Sequence, residues 1–300
     1  MAAGELRLIR RRIRSVQSTM KITRAMELIA ASRIVKAEQL VQSSRPYAER
    51  MSAVMGHLAA AAGGNVQHPL LEPRDEVGRA AVLVLCSDRG LCGAYNTNVF
   101  RLALGHLDEM PGTAHEVLSY GKKSEGFFRY RGYDVARVWD MTDRPTYAQA
   151  KEVARYAMSR YLDGELDRID LVYTRYLSAF RQQPVVVPLL PIDTGALADA
   201  EATSAEATGP AVPADTIFEP EPSVILGALV PNGLTSRVYS AALEASASEH
   251  ASRRRAMKAA TDNAGDLIKA LQLEGNKARQ AAITTEILEV VSGAEALAAD

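Results

Sequence analysis

The residues with the clearest chemical potential lie in one short turn, Ser87-Asp88-Arg89-Gly90-Leu91-Cys92-Gly93. A Gly-rich turn between a strand and a helix often cradles phosphate, helped by the partial positive charge of the helix N-terminus. This one has neither the GxGxxG spacing nor the GK[ST] ending of a phosphate loop, so a tight turn that packs the helix on the sheet accounts for it better. Cys86 and Cys92 bracket the turn without a CxxC spacing, and the five histidines (57, 68, 106, 115 and 250) are scattered. That distribution argues against zinc, and makes Cys86 a core residue and Cys92 a packed loop residue. No Ser–His–Asp or Cys–His signature is present locally, and Asp108 and Glu109 read as solvent-facing acids. Two basic clusters, Arg10–Arg14 and Arg253–Arg255, suit either nucleic acid or an acidic protein surface. They lack interleaved aromatics, and an apolar seam runs through the first; spacing alone leaves both readings open.

The elements that must position these residues are uneven along the chain. Its 300 residues are 47% hydrophobic but only 6% aromatic, so the core is filled by Ala, Leu, Ile and Val, which favours helices in close approach. The longest unbroken apolar stretch, Ala80 to Cys86, is far short of the roughly 20 residues that span a bilayer. Two cysteines exclude a disulfide framework. The net charge of −1 conceals a layout: residues 1–55 hold eleven basic against four acidic positions, and residues 56–235 hold 16 against 23. An organellar transit peptide is disfavoured because the Arg-rich pattern continues past Ser18 with Glu5 and Glu27 inside it, and no apolar segment of a secretory signal follows the arginines.

From Glu5 to Arg45 there is no Gly or Pro, and Leu6, Ile9, Ile13, Val16 and Met20 recur at spacings of three and four. Ala30, Ile34, Ala37 and Val41 meet the same heptad frame, while Thr23 and Glu27 occupy it between them and interrupt the seam; Ile22, Met26 and Ile29 form an offset apolar edge there. Forty-one helical residues would span about 60 Å, a length that needs a partner helix. Pro46 should kink or break it, with a helical pattern resuming from Tyr47 to Ala62 and Gly63-Gly64 ending it. At the other end Leu234, Val238, Ala241 and Ala245 make one stripe, and Met257, Thr261, Ala264, Ile268 and Leu271 a second in shifted register. Pro231-Asn232-Gly233 is a turn signal near that helix's start, and Gly265 and Gly275 weaken its pattern. The simplest arrangement is an antiparallel coiled coil of the two ends.

The middle alternates strand and helix: strands at 80–87, 116–120, 135–139, 169–176 and 184–192, helices at 96–107, 122–130 and 147–162. This implies an α/β layer with a parallel portion of sheet, Rossmann-like in type. Residues 193–216 have almost nothing to bury and read as a mobile loop, with order resuming at Phe218-Glu219-Pro220. The expected organisation is an N-terminal coiled-coil helix over 1–62, an α/β domain over 76–220 and a C-terminal coiled-coil helix over 223–297.

Several stretches are familiar in combination. Lys21-Ile22-Thr23-Arg24-Ala25-Met26-Glu27-Leu28-Ile29-Ala30-Ala31-Ser32-Arg33, the turn running on from Ser87 to Asn96, and Ile283-Thr284-Thr285-Glu286-Ile287-Leu288-Glu289-Val290-Val291-Ser292-Gly293-Ala294, in this order, resemble the γ subunits of F-type (F1Fo) ATP synthases. So do Arg45-Pro46-Tyr47-Ala48, Phe218-Glu219-Pro220, Met257 to Asn263 and Asn276 to Gln280. The resemblance covers nearly the whole chain. It implies a rotor shaft, non-catalytic by itself and without a cofactor: a coiled coil inside a ring of three α and three β subunits, and an α/β foot with the ε subunit on the ring of c subunits. Proton flow would turn the shaft and drive ATP synthesis at the β sites, and hydrolysis would turn it in reverse. Motif by motif, it assigns β contact to Lys21, Arg24, Met26 and Arg33, and to Arg279, Gln280, Thr284 and Glu286. The competing role for Met26 and Thr284 is seam filling. Pro231-Asn232-Gly233 departs from the family's continuous helix. The regulatory Cys pair of the chloroplast version is missing near 193–216. With a start like that of bacterial members, these features imply a bacterial complex, peripheral on the cytoplasmic side of the cell membrane. An independent nucleotide-dependent enzyme and a nucleic-acid or scaffold protein are the alternatives.

Overall fold

The computed structural model describes residues 2–61, 68–192 and 221–298. Helix α1 (Ala2–Ala61) leads into β1 (Arg79–Leu85), α2 (Tyr95–Glu109), β2 (Ala114–Tyr120), α3 (Lys123–Tyr130), β3 (Asp134–Trp139), α4 (Tyr147–Leu162), β4 (Arg168–Tyr176), β5 (Gln182–Leu190) and the long α5 (Pro222–Ala298). Contacts divide the chain into two compact units. One is Ala31–Ser252; the other is Met1–Ala30 with Arg253–Asp300.

In the first unit the strands form one sheet in the order β3-β2-β1-β4-β5. β1 to β4 are parallel and β5 pairs antiparallel with β4, so the parallel sheet read from the alternation is present. Strand side chains alternate between faces. On β1, Ala81, Leu83 and Leu85 enter a core with Ala150, Val153 and Ala157 of α4 and with Leu226, Val230 and Leu234 of α5. Ala80, Val82, Val84 and Cys86 face the other way, onto Val99, Ala103 and Leu107 of α2 and Phe128 of α3. α4 starts at a capping box: Thr146 Oγ1 accepts from the Gln149 N–H at 3.3 Å, and Gln149 Oε1 accepts from the Thr146 N–H at 3.0 Å. That box satisfies two N-terminal donors and fixes where the preceding loop ends.

Two predicted breaks do not occur. α1 runs through Pro46. In the turn ahead of it, Ser43 and Ser44 hydroxyls donate back to the carbonyls of Leu40 and Val41, each at 3.0 Å. Beyond it, buried Met55 and Leu58 hold the continuation in the core. α5 likewise runs through Pro231-Asn232-Gly233. Leu226, Val230 and Leu234 around the triplet are fully buried, and this burial outweighs the local turn preference. Gly233 has a packing role instead: a Cβ there would lie 2.4 Å from Met55 Sδ, so its absence lets α1 and α5 approach. α5 also continues through Gly265 and Gly275. The expected stops at Gly63-Gly64, the loop 193–216 and the stretch 218–220 lie outside the described residues.

In the second unit the two chain ends pair antiparallel. Thr23 Oγ1 lies 2.8 Å from Thr261 Oγ1. Two heptads earlier on α1, Ile9 Cγ2 would be 3.3 Å from a Cβ at Gly275, two heptads later on α5. The same register sets Ile13 level with Leu271, Val16 with Ile268 and Met20 with Ala264, so both stripes read from the sequence meet. The seam is continuous, which corrects the expected interruption: Thr23 and Glu27 are buried in it. Thr23 Oγ1 and Thr261 Oγ1 also reach the carbonyls of Met20 and Met257 at 3.1 and 2.9 Å. Glu27 accepts from Arg24 Nη1 at 3.0 Å. Buried polar groups are tolerated in a seam when bonded in this way.

Candidate functional site

In open α/β sheets, ligands bind beyond the carboxyl ends of the parallel strands, where the strand order reverses. That edge is built here from the segments after β1, β3 and β4, and each of them bonds to α5. Tyr95, after β1, donates its hydroxyl to the Ala245 carbonyl at 3.1 Å. The Asp143 carbonyl, after β3, accepts from Ser246 Oγ at 3.1 Å and lies 3.4 Å from His250 Nε2. At the end of β4 the Thr174 carbonyl accepts from Ser248 Oγ at 3.2 Å, and the Tyr176 N–H donates to Glu244 Oε2 at 3.1 Å. The place a nucleotide would take is filled by a helix.

The Ser87–Gly93 turn serves the same edge. Asn96 in the first turn of α2 accepts the Ser87 N–H at 3.1 Å and donates to Ser87 Oγ at 2.7 Å. Asp88 Oδ1 accepts the N–H groups of Lys122 and Met141 at 2.9 and 3.1 Å, tying the turn to the ends of β2 and β3. Cys86 and Cys92 are both buried. Burial pushes the Cys86 thiol up to about 12, which keeps it protonated and unreactive. Among the described residues no group of three His, Cys, Asp or Glu is placed to hold a metal, and no helix is long and apolar enough to cross a membrane.

α1 is held at this edge too. Asp143 Oδ2 pairs with Arg33 Nη1 at 2.7 Å, and the Tyr176 hydroxyl donates to Glu38 Oε1. Beside these contacts Ile34, Ala37 and Val41 of α1 pack with Leu243, Ala247 and Ala251 of α5 and with Tyr176. Burial raises the Glu244 carboxyl above its ordinary 4.5, against the Tyr176 N–H and the guanidiniums of Arg175 and Arg45. Burial, then the Glu38 partner, pushes the Tyr176 hydroxyl well above its ordinary range.

The residues assigned to β contact fall into separate groups. Lys21 and Arg24 are exposed and Met26 is half-buried on α1. Arg279, Gln280, Thr284 and Glu286 are all exposed on α5, which removes the seam-filling reading of Thr284; its hydroxyl donates to its own Gln280 carbonyl at 3.0 Å. In the observed register Lys21 is level with Asn263, sixteen residues or about 24 Å short of Arg279, so the two groups form two levels along one coiled coil. Arg33 belongs to the other unit and pairs with Asp143. The sequence reading missed Asp143, Tyr176 and the polar run Glu244, Ser246, Ser248 and His250. The available signal was polar residues on an otherwise Ala-rich helix stripe.

Ala2, where α1 begins, is level with Ala282, and α5 continues from there to Ala298. Ile283, Ile287, Leu288, Val290 and Val291 there are between 48% and 72% exposed. Apolar residues gathered on one helix end mark a surface that a partner covers.

A family model described as ATP synthase matches residues 5–297. ATP synthase gamma chains of Kineococcus radiotolerans and Frankia casuarinae are 44% and 46% identical over 99% of this chain, matching 98% and 99% of their own lengths. Among solved structures, a chain of the Euglena gracilis mitochondrial ATP synthase OSCP/F1/c-ring assembly is 20% identical. It superposes with a TM-score of 0.64 over 98% of this chain and 95% of its own. A chain of the Tetrahymena thermophila mitochondrial ATP synthase central stalk and c-ring is 24% identical, with a TM-score of 0.58 over 80% of this chain and 99% of its own. Full-length identity at this level, with the helix pair and sheet in place, means that the chain belongs to the ATP synthase family, among its gamma chains.

Proposed function

We propose that this chain is the central rotor shaft of an F1Fo ATP synthase. It couples proton-driven rotation of the c-ring to the conformational cycle of the β catalytic sites, and in reverse carries hydrolysis-driven rotation to proton pumping. The observation that carries this reading is the antiparallel coiled coil of the two chain ends with its uncovered apolar α5 tip. Two helices of different sequence present a different face at every azimuth. A turning shaft of this kind touches each of three surrounding β subunits differently, and such differential contact is what biases a multi-state site. Chemistry belongs to the β subunits; this chain supplies position and force.

Its partners on this reading are the α and β subunits around the shaft, and the ε subunit and c-ring at the α/β foot. The complex is membrane-bound and this chain is peripheral to the membrane, on the cytoplasmic side of the cell membrane. Lys21, Arg24 and Met26 form one β-facing level and Arg279, Gln280, Thr284 and Glu286 the other, and Arg33 is a further β contact on this reading. The first helix is strongly basic, so an acidic β surface is the complementary partner, attracted through a long-range term that does not lock one orientation.

Co-expression with α and β subunits from a bacterial relative tests the proposal. A stable complex with ATPase activity well above that of α and β alone is expected. An actin filament fixed to the α/β foot should rotate in one sense under ATP. A chain that never co-purifies with α and β, or a complex that hydrolyses ATP without rotation, refutes it. Saturable micromolar ATP binding by the isolated chain would favour an independent nucleotide enzyme instead.

A further inference from the structure

We infer that Asp143 and Tyr176 are positioning residues, a two-point clamp that fixes α1 on the sheet's carboxyl edge while α5 is held there by main-chain bonds. The two points are built alike. Asp143 sends its carboxylate to Arg33 of α1 at 2.7 Å and offers its main-chain carbonyl to Ser246 and His250 of α5. Tyr176 sends its hydroxyl to Glu38 of α1 and its main-chain N–H to Glu244 of α5. Each point therefore has a side-chain arm to α1 and a main-chain arm to α5. The first lies in the loop after β3 and the second at the end of β4, so they approach the helices from strands at separate places in the sheet order β3-β2-β1-β4-β5.

The arms reach α1 at positions 33 and 38, five residues and therefore about 500° of helical turn apart, or 140° around the axis. Two contacts on different sides of one helix resist both sliding and rotation, which one contact does not. The apolar cluster beside them includes the small side chains Ala37, Ala247 and Ala251, and its contacts are non-directional, so the two polar arms add the orientation. Arg33, read from the sequence as a partner contact, thereby acquires an internal role. The first point reaches Arg33 and His250, three and two residues from the unit boundaries at Ala30 and Ser252, and the second reaches Glu38 and Glu244, eight residues from them. The clamp's mechanical meaning rests on the rotor reading: turning force passing between sheet and helices crosses these arms.

The asymmetry of the arms supplies the test. In the full chain, Asp143→Ala combined with Tyr176→Phe cuts both arms to α1 and leaves the main-chain bonds to α5. Native-state hydrogen exchange is expected to quicken roughly two- to fivefold across residues 33–41, the size expected when partly exposed polar contacts are lost, with residues 244–251 unchanged. Arg33→Asp and Asp143→Arg should each reproduce part of this, and the charge-swapped pair should restore it. In the assembled complex, the single variants should lower protons pumped per ATP hydrolysed, and the swap should recover the ratio. Equal quickening of both segments, no quickening, or a swap that fails to restore exchange overturns the clamp. Restored exchange with a coupling ratio that never changed overturns its mechanical role and leaves the rotor reading intact. If the wild-type chain does not assemble with α and β, the rotor reading fails, and the exchange experiments alone decide the clamp.

Discussion

Small residues where α1, α5 and Tyr176 meet set how closely the helices approach, and Ala247→Leu tests this directly. Ala247 is fully buried, with Ile34, Ala37, Val41, Tyr176, Leu243 and Ala251 in the same cluster, none more than 6% exposed. Leucine adds three carbons at a point with no room. A cavity of about 200 Å3 lies nearby, lined by Met51, Met55, Gly233 and Ala241. Its nearest lining residue on α5, Ala241, is six residues from Ala247, about 9 Å along the axis, beyond a leucine's reach. Overpacking without relief costs about 1–3 kcal/mol. For a unit of this size each kcal/mol moves the midpoint by about 2–4 °C, so about 2 kcal/mol lowers it by roughly 4–8 °C. Thermal melting followed by circular dichroism at 222 nm reads this. Leu243→Ala in the same cluster is the control, and should cost about 2–5 kcal/mol through the cavity it leaves. An Ala247→Leu midpoint within about 1 °C of wild type, beside a strongly destabilised Leu243→Ala, would refute the claim that Ala at this position limits helix approach.

Three further outcomes follow from the geometry. Glu244 binds its proton more tightly folded than unfolded, so its contribution is present at acid pH and lost as pH rises through its raised folded value. Glu244→Gln keeps an acceptor for the Tyr176 N–H and sheds the buried charge; its melting temperature should exceed wild type at pH 7.5 by a margin that shrinks toward pH 5, and a margin that grows on acidification counts against the assignment. The Cys86 thiol, buried and pushed up to about 12, should resist iodoacetamide at pH 8 in the native chain and react after unfolding, as peptide mass spectrometry would report; native labelling contradicts this. Gly275→Ala should slow hydrogen exchange over residues 5–16, because about 1 kcal/mol of helix propensity exceeds the small shift asked of Ile9, whose Cγ2 is 3.3 Å from the new Cβ. Gly275→Leu should speed that exchange by forcing the seam open, and identical behaviour of the two variants would show the register to be wrong.

What was legible in the sequence was periodic. The heptad stripes of both ends and the strand–helix alternation depend on repeated burial, and repetition survives local exceptions. The errors came from single residues read by local preference. Pro46 and the triplet at Pro231 are strong breakers in isolation, but α1 beyond Pro46 is anchored by Met55 and Leu58, and the triplet by Leu226, Val230 and Leu234. Thr23 and Glu27 read as an interruption because the partner hydroxyl of Thr261 lies 238 residues away. Asp143 and Tyr176 were invisible for the same reason: an exposed-looking loop aspartate and a strand-end tyrosine become bridges only when two helices from opposite chain ends lie against them. Resemblance alone points to the motif residues Lys21, Arg24, Arg279 and Glu286, and the structure adds their exposure and their spacing along the coiled coil.

The filled sheet edge links fold to role. A doubly wound sheet normally leaves the carboxyl ends of its strands open, and ligands occupy the crevice. Here Tyr95, Asp143, Thr174 and Tyr176, from the segments at the ends of β1, β3 and β4, all make contacts to one stretch of α5, from Glu244 to His250. A loop that released a small molecule would need to break such bonds in each cycle. A mount for a helix needs them kept, distributed over several strands so that a sideways load is shared. Five contacts from three segments on seven residues of helix answer the second requirement. The same kind of sheet that elsewhere holds a nucleotide for chemistry holds, in this chain, a segment of its own long helix.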